Sequence, residues 1–136
     1  MKIQDGKRYL LVKDEDDILR AMDITTEVAQ EIGFPDNGVL FLKLVTEEAC
    51  TNAYEYCSHS GQAGFLIKWD PHIRESLTIF IKHKGKKYKI TKENKVNFGQ
   101  RGRGLQLITS LMDYVEVNEM GGYIETVMQK DVSPPL

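Results

Sequence analysis

The chain has 136 residues, a mass of 15.5 kDa and a formal net charge of −2. This length suits one domain, since each half of a two-domain chain would be too small to bury a useful core, and the 41% hydrophobic and 28% charged residues exclude a disordered or fibrous chain. No apolar run approaches the roughly 18 residues of a membrane span, and the first residues lack the apolar stretch of a secretory signal.

The pattern of apolar, turn-forming and charged residues predicts one domain, 1–136, with a core over about residues 8–130 and a loose tail, 131–136. In chain order we expect a strand at 8–12, helices at 14–32 and 39–57, strands at 64–69 and 77–84, a helix at 102–112, and strands at 114–118 and 123–129. Helices and hairpins are separated along the chain rather than strictly alternating. This favours an α+β fold, a two-layer sandwich with the helices on one face of a mainly antiparallel sheet.

Two polar residues stand out on the second predicted helix. At about 100° per residue its apolar side chains fill one continuous arc that also contains Glu48 and Asn52, whereas Thr46 falls on the opposite, solvent-facing side. Glu48 and Asn52 lie one turn apart, so their side chains can converge, and burying both is costly unless partners satisfy them. Either each finds a neighbouring backbone or basic group, or both face a cavity that holds a ligand or a cation such as Mg²⁺.

The two cysteines, Cys50 and Cys57, lie on this same helix. Seven residues of helix separate them by roughly 10 Å, which is too far for a disulfide. We interpret them as small packing residues of a reduced, cytoplasmic protein.

The third predicted helix is preceded by Gln100-Arg101-Gly102-Arg103-Gly104-Leu105, without an Asp, Ser or Thr N-cap. Free backbone N–H groups, two glycines and two arginines are typical of a phosphate site, although glycine-rich turns are also common before helices that bind nothing. A nucleotide–Mg²⁺ complex would use this turn together with the Glu48–Asn52 pair.

A basic stretch adjoins this turn, since residues 82–103 hold nine basic side chains against the single Glu93. Such a stretch either steers a polyphosphate or an acidic partner, or is a solvated loop. Few aromatic residues are interleaved, which does not favour nucleic acid as the partner.

Two segments resemble motifs of one family. Leu44-Val45-Thr46-Glu47-Glu48-Ala49-Cys50-Thr51-Asn52-Ala53 resembles the N box of the histidine-kinase-like (GHKL) ATPases, in the E-A-x-x-N-A form of anti-sigma-factor serine kinases of the RsbW type. Gly102-Arg103-Gly104-Leu105, followed by Ser110-Leu111-Met112-Asp113, resembles the G2 box and the next helix of the same kinases. The resemblance covers roughly residues 8–130 and implies the Bergerat-type ATP-binding fold.

The resemblance also implies roles by position. Glu48 would be the general base that takes the proton from a serine or threonine hydroxyl, and Asn52 would coordinate the Mg²⁺ that bridges the ATP phosphates. The phosphates would be cradled by the residues that open the third helix, Arg101, Gly102, Arg103, Gly104 and Leu105.

One motif departs from the family. Its G1 box, D-x-G-x-G, uses the aspartate to accept a hydrogen bond from the adenine amino group, but His83 stands at that position here and Lys87 at the second glycine, while Gly85 matches the first. A neutral histidine can accept such a bond and a histidine cation cannot. We therefore expect His83 and Gly85 to belong to the nucleotide site, with weak or altered binding.

The resemblance implies an ATP-dependent serine/threonine protein kinase that acts as an anti-sigma factor or similar partner-switching regulator. Its substrate would be an anti-anti-sigma (STAS) protein, its other partner a sigma factor or comparable regulator, and it would pair with a second copy of itself. The alternative is a nucleotide-weak or catalytically silent protein-binding module of the same fold. The departures at 83 and 87 favour the alternative, and the retained Glu48 and Asn52 oppose it.

Overall fold

The computed structural model describes residues 6–85, the backbone of 101–105, and residues 106–133. Its elements are β1 (Arg8–Val12), α1 (Glu15–Ile32), α2 (Asp36–His59), β2 (Phe65–His72), β3 (Ser76–Lys84), α3 (Arg101–Leu111), β4 (Tyr114–Met120) and β5 (Tyr123–Asp131). The five strands form one sheet in the order β1-β2-β3-β5-β4, with every neighbouring pair antiparallel. The predicted α+β fold with an antiparallel sheet is confirmed, although Asp131, expected in the tail, belongs to β5.

Local signals set the ends of the first two helices. The Asp14 side chain accepts a hydrogen bond from the backbone N–H of Asp17 at 2.9 Å, which caps α1. α1 ends at Gly33, whose φ of 110° lies in the left-handed region that glycine adopts without strain. α2 begins at Asp36, three residues before the predicted start, because Pro35 ends the connection in an extended conformation and its missing N–H costs a helix start nothing.

The turn between β2 and β3 lies later than the sequence predicts. β2 continues through Pro71 to His72, whereas the predicted strand ended at residue 69. The ladder between β1 and β2 ends at the pair of Arg8 and Trp69, so β2 is locally an edge strand at Pro71. A proline is tolerated there because no hydrogen bond to β1 is missing.

The helices pack on one face of the sheet and enclose the core. α1 contacts β1, β2 and β3, α2 contacts α1, β2 and β3, and α3 packs on α2 and β4. The strand side chains of this face are buried: Phe65, Ile67, Trp69, Leu77, Ile79, Ile81, Ile124 and Met128. On the opposite face, Tyr9 and Leu66 are exposed. Within the described ranges, no helix combines the length and apolarity that crossing a membrane requires.

A chain of buried hydrogen bonds ties β2 to both long helices. Trp69 Nε1 donates to Thr25 Oγ1 at 2.8 Å, and Thr25 Oγ1 lies 2.7 Å from Thr46 Oγ1. Thr46 Oγ1 donates to the Leu42 carbonyl at 2.8 Å, which uses its only proton. Thr25 therefore donates to Thr46, and each of the three donors in this series of hydrogen bonds has an acceptor in the apolar core.

Replacing the two threonines by valine tests this chain. Thr25→Val leaves the Trp69 N–H without an acceptor and Thr46→Val leaves the Thr25 hydroxyl without one, so each lowers the free energy of unfolding by about 1–3 kcal/mol. The double variant leaves only the Trp69 N–H unpaired, so its loss should about equal that of Thr25→Val alone. Urea unfolding of the four proteins measures these energies, and additive losses would contradict the chain.

Candidate functional site

The rotation of α2 about its axis differs from the prediction. Thr46, expected on the solvent side, is fully buried, whereas Leu40 and Leu44 are 52% and 38% exposed. The buried arc of α2 is therefore rotated by about 80° from the predicted one. The predicted rotation was wrong because the apolar residues near the start of the helix, Leu40 and Leu44, lie on the side of α2 that does not face the core.

This rotation changes the environment of Glu48 and Asn52. Both are half-buried at the edge of the core-facing arc, so the expectation that they lie inside it is wrong. Neither side chain makes a hydrogen bond within the described part of the chain. A carboxylate and an amide one turn apart thus stand at the border of the core with their polar atoms available to a ligand.

Glu48 and Asn52 are followed one turn later on the same side of α2 by Tyr56, and we call these three positions the stripe. Tyr56 connects the helix to the end of β3. The rings of Tyr56 and His83 are 4.6 Å apart at an interplanar angle of 35°. Glu48, Asn52 and Tyr56 follow one another at intervals of about 6 Å along the helix axis. The stripe therefore runs from a carboxylate, through an amide, to an aromatic ring that lies against a histidine.

One ring nitrogen of His83 has a defined proton. His83 Nδ1 lies 2.9 Å from the backbone carbonyl oxygen of Lys84, and a carbonyl oxygen can only accept, so Nδ1 carries the proton. In the neutral ring Nε2 is then an acceptor. This tautomer has the property that the family's aspartate supplies, an acceptor for an exocyclic amino group.

Gly85 ends this strand in a conformation that excludes a side chain. Its φ is 152°, and a Cβ placed on it would lie 2.5 Å from the Tyr56 hydroxyl oxygen. The Gly85 N–H donates to the Gly122 carbonyl at 2.9 Å, which holds the turn against the β4–β5 hairpin. The backbone thus approaches the aromatic ring as closely as only glycine allows.

The predicted phosphate turn is described only in part. Residues 101–105 form the first helical turn of α3, so Gly102 and Gly104 belong to the helix itself. The side chains expected to contact phosphate there, and Lys87 of the degenerate G1 box, lie outside what the structure describes.

No cluster of three or more His, Cys, Asp or Glu side chains that could hold a metal occurs among the residues described. A metal at Asn52 would need ligands from a bound molecule as well. Mg²⁺ accepts this, because it commonly takes one or two protein oxygens and completes its octahedron with phosphate and water. The residues present therefore fit an Mg²⁺–phosphate complex.

Two residues of this region were not assigned to the site by the sequence reasoning. Tyr56 was given no role, although its spacing of four from Asn52 placed it on the same stripe. The other is Gln62, whose side chain bonds the backbone of Lys84. No sequence signal predicts that contact, since the two residues are 22 positions apart and the partner is backbone.

The fold and this stripe define a class of protein. A five-stranded antiparallel sheet covered on one face by helices, with a carboxylate and an amide one turn apart on the central helix, matches the GHKL-like fold. The chain belongs to the histidine kinase-like ATPase domain family, whose model matches residues 11–130. The comparison with curated proteins finds no match.

Two solved structures are similar to this chain. One chain of the SiaB–SiaC complex from Pseudomonas aeruginosa superposes with a TM-score of 0.63 at 10% identity, over 92% of this chain and 89% of that one. The RsbU and RsbW domains of Rv1364c from Mycobacterium tuberculosis give a TM-score of 0.69 at 13% identity, over 96% of this chain and 33% of that one. This chain thus spans about a third of the mycobacterial chain, and at such identities the likeness establishes the fold alone.

Cys50 and Cys57 lie on the buried side of α2, away from the stripe. Both are free and buried, as predicted from their spacing. Burial raises the pKa of the Cys50 thiol to about 12 and also raises the pKa of Cys57. A thiol held neutral in this way is neither a nucleophile nor a metal ligand at neutral pH.

The Cys50 thiol makes the free energy of unfolding depend on pH in the alkaline range. The unfolded thiol loses its proton near pH 9 and the native one near pH 12, so the native state binds more protons between these values and the free energy of unfolding falls there by about 1.4 kcal/mol per pH unit. Urea unfolding at pH 8 and pH 10 in reductant should show a smaller loss for Cys50→Ala than for the wild type. Equal losses would show that Cys50 is not the group responsible.

Proposed function

We propose that this protein is an ATP-dependent serine/threonine protein kinase that acts as an anti-sigma factor or similar partner-switching regulator, with an anti-anti-sigma (STAS) protein as its substrate. The observation that carries the proposal is the placement of Glu48 and Asn52, half-buried on one stripe of α2 and without a hydrogen-bond partner among the described residues. Membership of the histidine kinase-like ATPase family supports ATP as the ligand.

In this proposal Glu48 is the general base. A carboxylate at the border of the core takes the proton from a serine or threonine hydroxyl as the hydroxyl oxygen attacks the terminal phosphoryl group. Because the carboxylate projects from a helix that is packed on α1, α3 and the sheet, its position is fixed before the substrate arrives. Bound Mg²⁺ would neutralise charge on the phosphates.

The other residues of the site bind and orient the nucleotide. Asn52 offers its amide oxygen to Mg²⁺, one turn along the helix from the base. The N-terminal turn of α3, with Gly102 and Gly104, receives the phosphates on its free N–H groups. His83 accepts a hydrogen bond from the adenine amino group at Nε2. Gly85, which has no side chain, leaves room for the adenine ring.

Partner proteins complete the proposal. The similar structures are described as a SiaB–SiaC complex and as joined RsbU and RsbW domains, which supports a regulatory protein as the partner of this chain as well. A sigma factor or comparable regulator is the proposed binding partner, and the cytoplasm, which supplies ATP and keeps thiols reduced, is the proposed location. Among the described strands β1 lies at the edge of the sheet and pairs only with β2, which supports pairing with a second copy along it; a monomer by light scattering would contradict this.

The second candidate is a protein-binding module of the same fold that binds nucleotide weakly or not at all. His83 in place of the family's aspartate favours it, because a neutral histidine is a weaker acceptor than a carboxylate. Lys87, which lies outside the described residues, is the other departure. Nucleotide binding distinguishes the two candidates.

Isothermal titration with ATP, with and without Mg²⁺ and with GTP for comparison, tests the function. The wild type should bind ATP with a dissociation constant on the order of micromolar in the presence of Mg²⁺ and discriminate against GTP. Asn52→Ala should lose the Mg²⁺-dependent part, because its amide oxygen is the only proposed protein ligand. Asn37→Ala, the same change at an exposed position near the start of α2, is the control and should bind like the wild type. Absence of wild-type binding would favour the silent module.

Glu48→Gln tests the base. The amide keeps the shape of the side chain but cannot accept a proton, so phosphoryl transfer to a STAS-domain protein of the same genome should fall by about 10²–10⁴-fold while ATP binding is retained. Glu47→Gln makes the same change one residue earlier, on the exposed side of α2, and should leave the rate unchanged. A wild-type rate in Glu48→Gln would exclude Glu48 as the base.

A further inference from the structure

The side chain of Gln62 joins the end of α2 to the end of β3. Its Nε2 donates to the Lys84 carbonyl at 2.8 Å, and its Oε1 accepts from the Lys84 N–H at 3.1 Å. Nε2 also donates to Ser60 Oγ at 3.0 Å, and the Ser60 hydroxyl donates to the Tyr56 carbonyl at 2.7 Å. Both protons and the oxygen of the amide are therefore used in one network.

The side-chain amide of Gln62 takes the place of a backbone partner at the end of the β2–β3 ladder. The ladder between β2 and β3 ends at the pair of Leu66 and Lys82, so the next outward pair on β3, the N–H and carbonyl of Lys84, has no backbone partner on β2. The amide of Gln62 supplies one acceptor and one donor in their place, as a paired strand would. The side chain thus extends the ladder by one position, where β3 reaches the candidate site.

This contact also controls His83. The Lys84 carbonyl that accepts from Gln62 accepts from His83 Nδ1 at 2.9 Å as well. The direction of that carbonyl therefore determines which ring nitrogen carries the proton. On its other side the His83 ring lies against the Tyr56 ring. The acceptor nitrogen Nε2 is thus held in place before any ligand binds.

We propose that Gln62 is a positioning residue for base recognition: through the Lys84 carbonyl it fixes the orientation and the Nδ1–H tautomer of His83, and it does not itself touch the nucleotide. The proposal rests on the proposed nucleotide site. It adds a determinant of base selectivity that lies on the loop after α2, outside the motifs of the family.

Gln62→Glu tests the proposal because it keeps the shape of the side chain and places an oxygen against the Lys84 carbonyl, which repels it. A long-range ¹H–¹⁵N spectrum of the nucleotide-free protein should show the Nδ1–H tautomer of His83 in the wild type and a mixture in the variant. ATP affinity in Mg²⁺ should fall about tenfold and the preference for ATP over GTP should shrink, because the base loses its acceptor. Affinity for inorganic tripolyphosphate, which has no base, should be unchanged.

Ser60→Ala is the matched control. It removes the third hydrogen bond of Gln62 but keeps both bonds to Lys84, so tautomer and ATP affinity should stay close to wild type. Gln62→Ala, which adds no charge, replaces Gln62→Glu if that variant does not fold, with the same expected losses.

Three results would overturn the proposal. One is an unchanged His83 tautomer together with unchanged ATP affinity in Gln62→Glu. Another is evidence of a general structural role, seen either as a parallel loss of ATP and tripolyphosphate affinity or as an equal loss in Ser60→Ala. The third is a wild type that does not bind ATP, which would remove the proposed function and base recognition together. If the wild type binds ATP and Gln62→Glu binds it equally well, only the role of Gln62 is removed.

Discussion

The arrangement of the candidate site depends on the buried hydrogen-bond chain from Trp69 through Thr25 and Thr46 to the Leu42 carbonyl. In an apolar core these groups are strongly destabilising unless they are paired, so the chain is satisfied in one arrangement of β2, α1 and α2. Thr46 must face the core for this to happen. Glu48, two residues on and separated from Thr46 by about 160° around the helix axis, then lies outside the core-facing side of α2, where it is half-buried.

A second set of contacts holds the other end of the same stripe. Tyr56 packs against His83, and the network of Ser60 and Gln62 connects the last turn of α2 to the backbone of Lys84. α2 is therefore fixed in rotation near its middle and fixed to β3 at its end. A helix held at both places keeps the carboxylate, the amide and the ring pair at constant separations, as the proposed phosphoryl transfer would require of a protein that contributes mainly positioning.

The family and the residues of this chain answer different questions. Membership of the histidine kinase-like ATPase family accounts for the sheet and the helices. It does not account for His83. Because Nδ1 of this ring carries a proton, Nε2 is the nitrogen that can accept a hydrogen bond, and it can do so only while the ring is neutral. In the proposed function, the choice between a kinase and a docking module depends on how well this histidine replaces a carboxylate.

The sequence by itself determined the eight elements of the described residues and their order, because hydrophobic period and turn-forming residues are local signals. It also determined that Glu48 and Asn52 share one stripe, since their spacing is enough. Only the tertiary structure decided which side of α2 faces the core: the apolar Leu40 and Leu44 suggested one side, and the hydrogen bond between Thr25 and Thr46 required another. The same holds for Gln62 and Lys84, because a contact between a side chain and backbone 22 positions away leaves no pattern in the sequence. It also holds for the tautomer of His83, which depends on the direction of the neighbouring Lys84 carbonyl.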